Sequence, residues 1–440
     1  MIKTISVREY SKIADGILGI TEPGTTEVDS ETFNQLSEHI EENQDSSSVE
    51  SAFSQFRRNR RRYILVKNYV GLIQTKNGTI LEIVPKIHRS MSESDISLSE
   101  AKSVVLKMLS TLKNSPFITL GEAGIDSNKE MPLMEVFISA FLLELEQLLR
   151  KELRGGYQVR REETQFIKGK VLIEEQLRLF NPARVMFICE YDVFSVDVSP
   201  NRLIKSVLMK LSQMTVDPRN AVRIRKHLEN FEEISDSRDV RSDFAYCKQH
   251  GFLLKNYEKL LSWCEVILEN KGFSGYRGNS VNLSILFPME KLFESYIAFL
   301  LSKYAKELGV KVQDRRFHLV EEERAGKRIG QFQLRPDLVL SNNKVIIDTK
   351  WKILEDSKSH FNISEKDVYQ MFAYGKRYQS EIENEHPPKL FLVYPSNVLK
   401  NENLPKYIFG NEMILDIVTF DLLAENQYIE TKKLISVISA

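Results

Sequence analysis

The sequence predicts an α+β chain of several domains: a β-rich, partly helical N-terminal region (1–155), a mostly helical middle region (156–278), and a C-terminal α/β domain with a mixed central sheet (279–440). Three observations predict it. Between residues 63 and 87, short β-type apolar runs flank Lys76-Asn77-Gly78, and Asn-Gly is a strong hairpin-turn signal. Residues 201–214, 221–231 and 242–268 space their apolar side chains by three and four, the helical period. After residue 279 helical and strand periods alternate, as they do where helices cover a sheet.

Along the N-terminal region, residues 31–42 place Phe33, Leu36 and Ile40 on one face and read as a helix. Residues 41–54, rich in Glu, Asp, Gln and Ser, read as a mobile loop. Arg57-Arg58-Asn59-Arg60-Arg61-Arg62 follows. This run fits contact with phosphates or with a partner protein, and equally an internal pairing with the acidic stretch before it. Residues 98–112 and 131–153 read as helices, the second with Phe137, Phe141, Leu145 and Leu148 toward a core. Gly155-Gly156 is a break, and residues 158–174 return to strand character, with Arg160, Arg161, Lys168 and Lys170 adding local charge. The glycine-rich segment 271–278 reads as the linker that borders the last domain.

That domain opens with residues 287–301, whose apolar positions 289, 292, 293, 296, 297 and 300 form a helical stripe with Glu294 beside it. Residues 310–319 are expected to add a strand. Leu338-Val339-Leu340 and Val345-Ile346-Ile347, separated by Ser-Asn-Asn-Lys, read as a β-hairpin with a polar turn. Asp337 begins the first run, and Asp348 ends the second, two residues before Lys350. At i and i+2 on a strand, Asp348 and Lys350 leave the same face. Two carboxylates there can hold Mg²⁺ while leaving places for water and a phosphate oxygen, and an adjacent ammonium can activate that water or neutralise charge at phosphorus. The same residues alone also allow a surface hairpin with an Asp–Lys pair. Residues 365–378 then read as a helix behind Ser364 as N-cap, with Val368, Met371, Phe372 and Gly375 near helical spacing. Gln370 and Tyr374, at i and i+4, share a face. Residues 389–395 read as a buried strand, and after Tyr407 two strands and a helix close the domain.

Asp337, Asp348-Thr349-Lys350 and Gln370-Met371-Phe372-Ala373-Tyr374, in this order, resemble the catalytic core of the PD-(D/E)XK nucleases and the QxxxY element of their RecB-like branch. The resemblance implies an αβββαβ core. It implies Asp337 and Asp348 as ligands of Mg²⁺, with Mn²⁺ able to substitute, helped by the Thr349 carbonyl and, through water, by Glu294. Lys350 would orient or activate the attacking water, and Gln370 and Tyr374 would line the DNA cleft. Farther upstream, Asn68-Tyr69-Val70-Gly71-Leu72-Ile73-Gln74, Gly78-Thr79-Ile80-Leu81-Glu82-Ile83-Val84-Pro85-Lys86-Ile87, Phe166-Ile167-Lys168-Gly169-Lys170-Val171, Cys189-Glu190-Tyr191-Asp192 and Asn201-Arg202-Leu203-Ile204-Lys205 make the chain, from about residue 68 to 395, similar to the McrC family, the nuclease subunit of McrBC-type, modification-dependent restriction systems, while the first sixty residues carry no such resemblance. That similarity implies an N-terminal region that docks on a McrB-like AAA+ GTPase ring, stimulation of the ring, and cutting of modified double-stranded DNA. Two other readings are a nuclease-like adaptor that only stimulates the ring, and a RecB-like exonuclease. The intact Asp337…Asp348-x-Lys350 set disfavours the first, and the similarity of the N-terminal two-thirds to McrC disfavours the second.

Composition bounds these readings. Lys+Arg and Asp+Glu both number 61, so strong DNA grip is expected from a partner, with a local cleft here. No GxxxxGK[ST] occurs, so no nucleotide is expected to bind this chain itself. The histidines are scattered without HxH or HExxH, and His360 reads as a loop residue. Cys189, Cys247 and Cys264 lack CxxC spacing, which disfavours zinc and disulfides. No apolar run reaches membrane-spanning length and MIKTISVREYSKIADG lacks a signal peptide's apolar centre, so a cytoplasmic location is expected.

Overall fold

The computed structural model describes residues 2–16, 22, 24–43, 52–87, 96–113, 115–121, 131–178, 186–269, 281–340, 344–355, 358–379, 387–396, 404–410 and 413–439. Most of the loop expected at 41–54, the Ser341-Asn342-Asn343 turn and the segment read as a linker at 271–278 lie outside the described residues. The chain forms two compact units, Met1–Leu133 together with Gly272–Ala440, and Met134–Lys271.

In the first unit, strand Lys12–Asp15 lies between Thr25–Val28, parallel, and Arg61–Val66, antiparallel, with Phe53–Arg58 at the edge. Asn59 and Arg60, both at positive φ, make the two-residue turn between the last two strands, as a right-twisted hairpin requires. Helix Ser30–Glu42 starts where the Asp29 side chain accepts from the Thr32 N–H. It buries Phe33, Leu36 and Ile40 against Ile13, Phe53 and Ile64. A second sheet runs Lys3–Arg8, Thr79–Val84, Tyr69–Thr75, Val281–Pro288. Its hairpin turns at Lys76-Asn77-Gly78 as expected, but its fourth strand, Val281–Pro288, was not legible and comes from beyond the inserted second unit. Gly71 sits where that strand crosses, at φ 132°, and a Cβ there would stand 2.0 Å from the Ile285 carbonyl oxygen. Helix Leu98–Leu109 begins with a capping box between Ser97 and Glu100.

The C-terminal part of this unit is a six-stranded sheet in the order Lys311–Val312, Leu338–Leu340, Val345–Thr349, Lys389–Pro395, Met413–Phe420, Lys406–Phe409. Val345–Thr349 is antiparallel to Leu338–Leu340 and parallel to Lys389–Pro395, so the sheet is mixed. Helix Glu365–Gln379 packs Met371, Tyr374 and Tyr378 on the face that carries Ile346, Leu390 and Leu392. Helix Met289–Tyr304 lies on the other face. Its Tyr296 ring meets Phe420, which alternates with Ile417 along its strand. The stripe predicted at 289–300 is buried. Residues 310–319 do not form one strand. Lys311–Val312 ends at Gln313, which takes a left-handed φ of 48°, and the Asp314 carboxylate folds back onto the Arg316 N–H and guanidinium. His318–Arg324 then pairs with Lys327–Gln333 as a separate, largely exposed hairpin whose alternation is too polar to have signalled a strand.

The second unit packs helices Leu133–Leu149, Ser199–Ser212, Pro218–Asn230, Val240–Gln249 and Glu258–Leu268 through buried Phe137, Phe141, Leu203, Leu208 and Trp263. The stretch expected to be mostly helical at 242–268 is so, as Val240–Gln249 and Glu258–Leu268 joined by a 3₁₀ turn, Gly251–Tyr257. The strand character expected at 158–174 appears as Gly156–Thr164 and Lys170–Val171, which form a three-stranded antiparallel sheet with Phe187–Ser195, a strand not expected from the sequence. All three cysteines are free and buried. Among the described residues no helix is long and apolar enough to cross a membrane.

Gly71→Ala is expected to destabilise the first unit by more than the roughly 1–3 kcal/mol of a left-handed non-glycine residue, because the methyl also meets backbone that cannot swing aside. A lowered denaturant midpoint relative to wild type checks this.

Candidate acid–lysine site

The residues singled out between 337 and 374 converge because of register. Antiparallel pairing of Leu338 with Ile347 sets Asp337, just before its strand, beside Asp348 near the carboxyl end of the next. The Asp337 Oδ2 accepts from the Thr349 N–H at 2.6 Å and the Thr349 hydroxyl at 2.7 Å. Asp348 is 2% exposed, and its Oδ2 lies 2.6 Å from the Lys350 ammonium. Lys350 leaves the same strand face two residues on, and its Nζ also donates to the Gln370 Oε1 at 3.0 Å. The Gln370 amide in turn donates to Asp348 Oδ1 at 3.3 Å and to the Tyr374 hydroxyl at 2.7 Å. Tyr374 donates to the Arg335 carbonyl at 3.1 Å. The helix behind this face starts where the Ser364 hydroxyl accepts from the Lys366 N–H. Gly375 holds it close to the sheet, since a Cβ there would lie 2.2 Å from the Met413 sulfur.

Glu294 joins the site from helix Met289–Tyr304. Its Oε1 accepts from the Gln313 amide at 2.8 Å, and the Gln313 N–H donates to the Asp337 carbonyl at 2.8 Å. Two participants were missed. Asp367 lies 3.6 Å from the Lys350 ammonium, and its position three residues before Gln370, on one helical face, could have revealed it. Glu9 accepts the indole N–H of Trp351, the residue after Lys350, at 3.0 and 3.1 Å, and no sequence signal joins residues 342 apart. His360 is exposed in the turn Ser359–Asn362. The arginine run does not act as one patch: Arg61 is buried against Glu27, and Arg62 pairs with Asp15, while most of the acidic stretch before it lies outside the described residues. Arg57, Arg58 and Arg60 are exposed. In the second unit Arg160 pairs with Glu162, and Arg161 with Glu190.

Four carboxylates thus surround one lysine, and their affinities for protons show the imbalance. Burial, then repulsion from Glu294, pushes Asp337 up to about 6. Burial, then repulsion from Asp337, pushes Asp348 up to about 7. Burial raises Glu294 as well, against the hydrogen bond from Gln313. For Lys350 burial is the largest influence and acts downward, but the attraction of Asp348, its hydrogen bond, and the attraction of Asp367 and Asp337 together outweigh it and hold the ammonium above its ordinary range. The donor set is hard oxygen, which suits Mg²⁺ or Mn²⁺ and not zinc. Among the described residues no group of three His, Cys, Asp or Glu side chains is arranged to hold a metal ion. A cation here would draw on Asp337, Asp348, a backbone carbonyl and water, an open coordination of the kind Mg²⁺ accepts.

Fold and site define a multidomain α+β protein with a buried acid–lysine cluster on a mixed sheet. The family model described as "McrBC 5-methylcytosine restriction system component" matches residues 64–395, and the chain belongs to that family. Among solved structures it is similar to a chain of the refined half-complex from the tetradecameric assembly of Thermococcus gammatolerans McrB AAA+ hexamers with bound McrC. There the TM-score is 0.68 and the identity 16%, over 99% of this chain and 100% of that one. A chain of the McrBC complex from the same organism gives a TM-score of 0.48 at 17% identity, over 69% of this chain and 88% of that one. No curated protein matches.

Because folding raises the Asp337 pKa above its unfolded value, the native state binds more protons than the unfolded chain. The stability this group contributes is full below about pH 4 and is lost as pH rises through about 6. In EDTA, Asp337→Asn should therefore gain stability relative to wild type at pH 8 and lose that gain toward pH 4, the difference amounting to about 1–3 kcal/mol. Paired thermal melts at the two pH values measure it.

Proposed function

We propose that this protein is a Mg²⁺-dependent endonuclease subunit of a McrBC-like restriction system, with Mn²⁺ able to replace Mg²⁺. In this reading it docks on a McrB-like, GTP-hydrolysing AAA+ ring, stimulates it, and cuts modified double-stranded DNA. The observation that carries the reading is one connected cluster, Asp337, Asp348 and Lys350 tied to Gln370 and Tyr374, on a mixed sheet in a chain of the McrBC family. Its order along the chain supports a PD-(D/E)XK nuclease core of the RecB-like branch. The similar Thermococcus assembly, in which McrC is bound to McrB AAA+ hexamers, supports the ring as partner.

Asp337 and Asp348, with the Thr349 carbonyl and, through water, Glu294, would hold the cation. Once bound, the ion supplies Lewis-acid stabilisation of a phosphodiester oxygen and a more acidic water. The protein's own residues do the rest. Thr349 fixes one Asp337 oxygen and so leaves the other to face the site. Lys350, held protonated by its carboxylate neighbours, serves as a fixed positive charge that orients water and stabilises developing negative charge, and not as a base. Gln370 bridges Lys350, Asp348 and Tyr374, so it keeps the ammonium aimed at the cleft. Tyr374, pushed up to about 12 by burial, stays a hydroxyl donor.

The test is cleavage of methylated and unmethylated plasmid by this chain with Mg²⁺ and GTP, with and without its ring partner. Lys350→Ala and Asp348→Asn should lower cutting by roughly 10²–10⁴-fold while leaving ring docking and GTP hydrolysis intact. Stimulated GTP hydrolysis without any Lys350-dependent cutting would leave an adaptor. Metal-dependent cutting from DNA ends without the ring would leave an exonuclease. In a separate measurement, Mg²⁺ at about 100 times its dissociation constant should stabilise the wild type by about 2.7 kcal/mol and the Asp348→Asn variant by much less.

A further inference from the structure

The acid–lysine cluster is half of a longer chain of contacts, and the other half carries two arginines that none of the steps above uses. From Glu294 the path runs to Gln313, whose Oε1 accepts from Arg315 at 3.4 Å. The Arg315 carbonyl accepts from the Gln333 amide at 2.8 Å, and the Gln333 Oε1 accepts from Arg335 at 3.4 Å. The Arg335 carbonyl then accepts from Tyr374, which returns the path to Gln370 and Lys350. Arg315 and Arg335 therefore stand on the rim of the same site, both exposed.

Their partners set them apart from the neighbouring arginines. Arg316 is paired with Asp314, Arg324 with Glu322, and Arg328 reaches Glu321, so those charges are compensated. Arg377 donates to the His318 carbonyl and lies over the Phe317 ring. Arg315 and Arg335 are held by neutral amides, and among the described residues no carboxylate forms an ion pair with either. A glutamine orients a guanidinium without cancelling its charge. Two uncompensated guanidinium groups, aimed by Gln313 and Gln333 beside a site rich in carboxylates, suit a polyanion that the carboxylates alone would repel.

The backbone here is also under strain. Gln313 takes a left-handed φ of 48°, and Phe332, 75% exposed, one of 57°. Each such non-glycine residue costs on the order of 1–3 kcal/mol and persists where the surrounding structure holds it. Phe332 lies between the hairpin pairs Val320–Gln331 and His318–Gln333, directly before Gln333, in an unbroken register.

We propose that Arg315 and Arg335, positioned by Gln313 and Gln333, grip the DNA phosphodiester backbone on the two sides of the phosphate presented to Asp337, Asp348 and Lys350. The inference rests on the nuclease reading and names how that site holds its substrate. Such contacts fix register on the duplex and carry no base specificity.

The experiment measures binding of a fluorescent 30-base-pair duplex to the full-length chain in Mg²⁺, with Lys350→Ala throughout so that no cutting intervenes, from 50 to 200 mM KCl. Arg315→Gln and Arg335→Gln should each weaken binding several-fold and reduce the slope of log affinity against log salt by about 1, with thermal midpoints unchanged. Arg335→Lys should restore the slope and only part of the affinity, since lysine keeps the charge and loses the fork. Unchanged affinity and slope in both glutamine variants would overturn the inference, and so would weakened binding with a lowered thermal midpoint that lysine does not rescue. Loss of ring docking with unchanged DNA binding would overturn it in favour of a protein contact. In all three cases Lys350-dependent cutting by the wild type would leave the nuclease reading standing. A Lys350→Ala parent that binds no duplex, alone or with its ring partner, would overturn the inference, and Lys350-dependent cutting by the wild type would still decide the nuclease reading separately.

Discussion

Burying Asp337 and Asp348 within one cluster is the constraint around which the C-terminal sheet is organised. A buried carboxylate is tolerated when hydrogen bonds or a counter-charge replace its water, and here a single ammonium faces four acids. The fold answers with neutral donors. Thr349 serves Asp337 from both its backbone and its hydroxyl, Gln370 serves Asp348, and Gln313 serves Glu294. Each donor comes from a different element, so the edge strand, the central hairpin and the two flanking helices are locked to one another by the same need. What remains uncompensated is negative charge, which a hard divalent cation would relieve.

Much of this was legible because the decisive residues are close in sequence. Leu338–Leu340 and Val345–Thr349 are short, fully buried and separated by a polar turn, so their pairing and the proximity of Asp337 to Asp348 follow from local pattern. Gln370 and Tyr374 repeat at helical spacing one element later, and their hydrogen bond is the i, i+4 contact that spacing anticipates. Where alternation is blurred, legibility fails. His318–Arg324 exposes both faces and carries three successive glutamates, so nothing in it signals a strand. Val281–Pro288 is nearly all buried and so lacks an alternating pattern, and its apolar run continues directly into the helix that follows. Phe372, one of the apolar residues near helical spacing, is exposed and meets Phe409 near the sheet edge. Gln313 and Glu9 reach the site through tertiary approach alone, which no local period encodes.

The N-terminal sheet is tied to the site more directly than its place in the sequence suggests. Glu9 follows strand Lys3–Arg8, which pairs in parallel with Thr79–Val84, and its carboxyl group accepts from both the Lys86 N–H and the Trp351 indole. Burial pushes Glu9 up to about 8, so at neutral pH it is mostly an uncharged acceptor, suited to a dry contact. The Trp351 ring packs edge-on against Phe293, the neighbour of Glu294. One tryptophan thus connects the N-terminal strands, the helix that carries Glu294 and the strand end that carries Lys350.

The discontinuity of the first unit has a consequence during synthesis. A ribosome delivers residues 1–133 first, but their second sheet lacks its fourth strand until Val281–Pro288 emerges. The intervening unit, 134–271, is contiguous, and once it has emerged it can fold while the ends of the chain still wait for each other. The acid–lysine cluster needs Glu294, the hairpin and the helix at Glu365–Gln379 in place, so it assembles late in translation. A truncated or prematurely released chain would present an intact middle unit without the acid–lysine cluster.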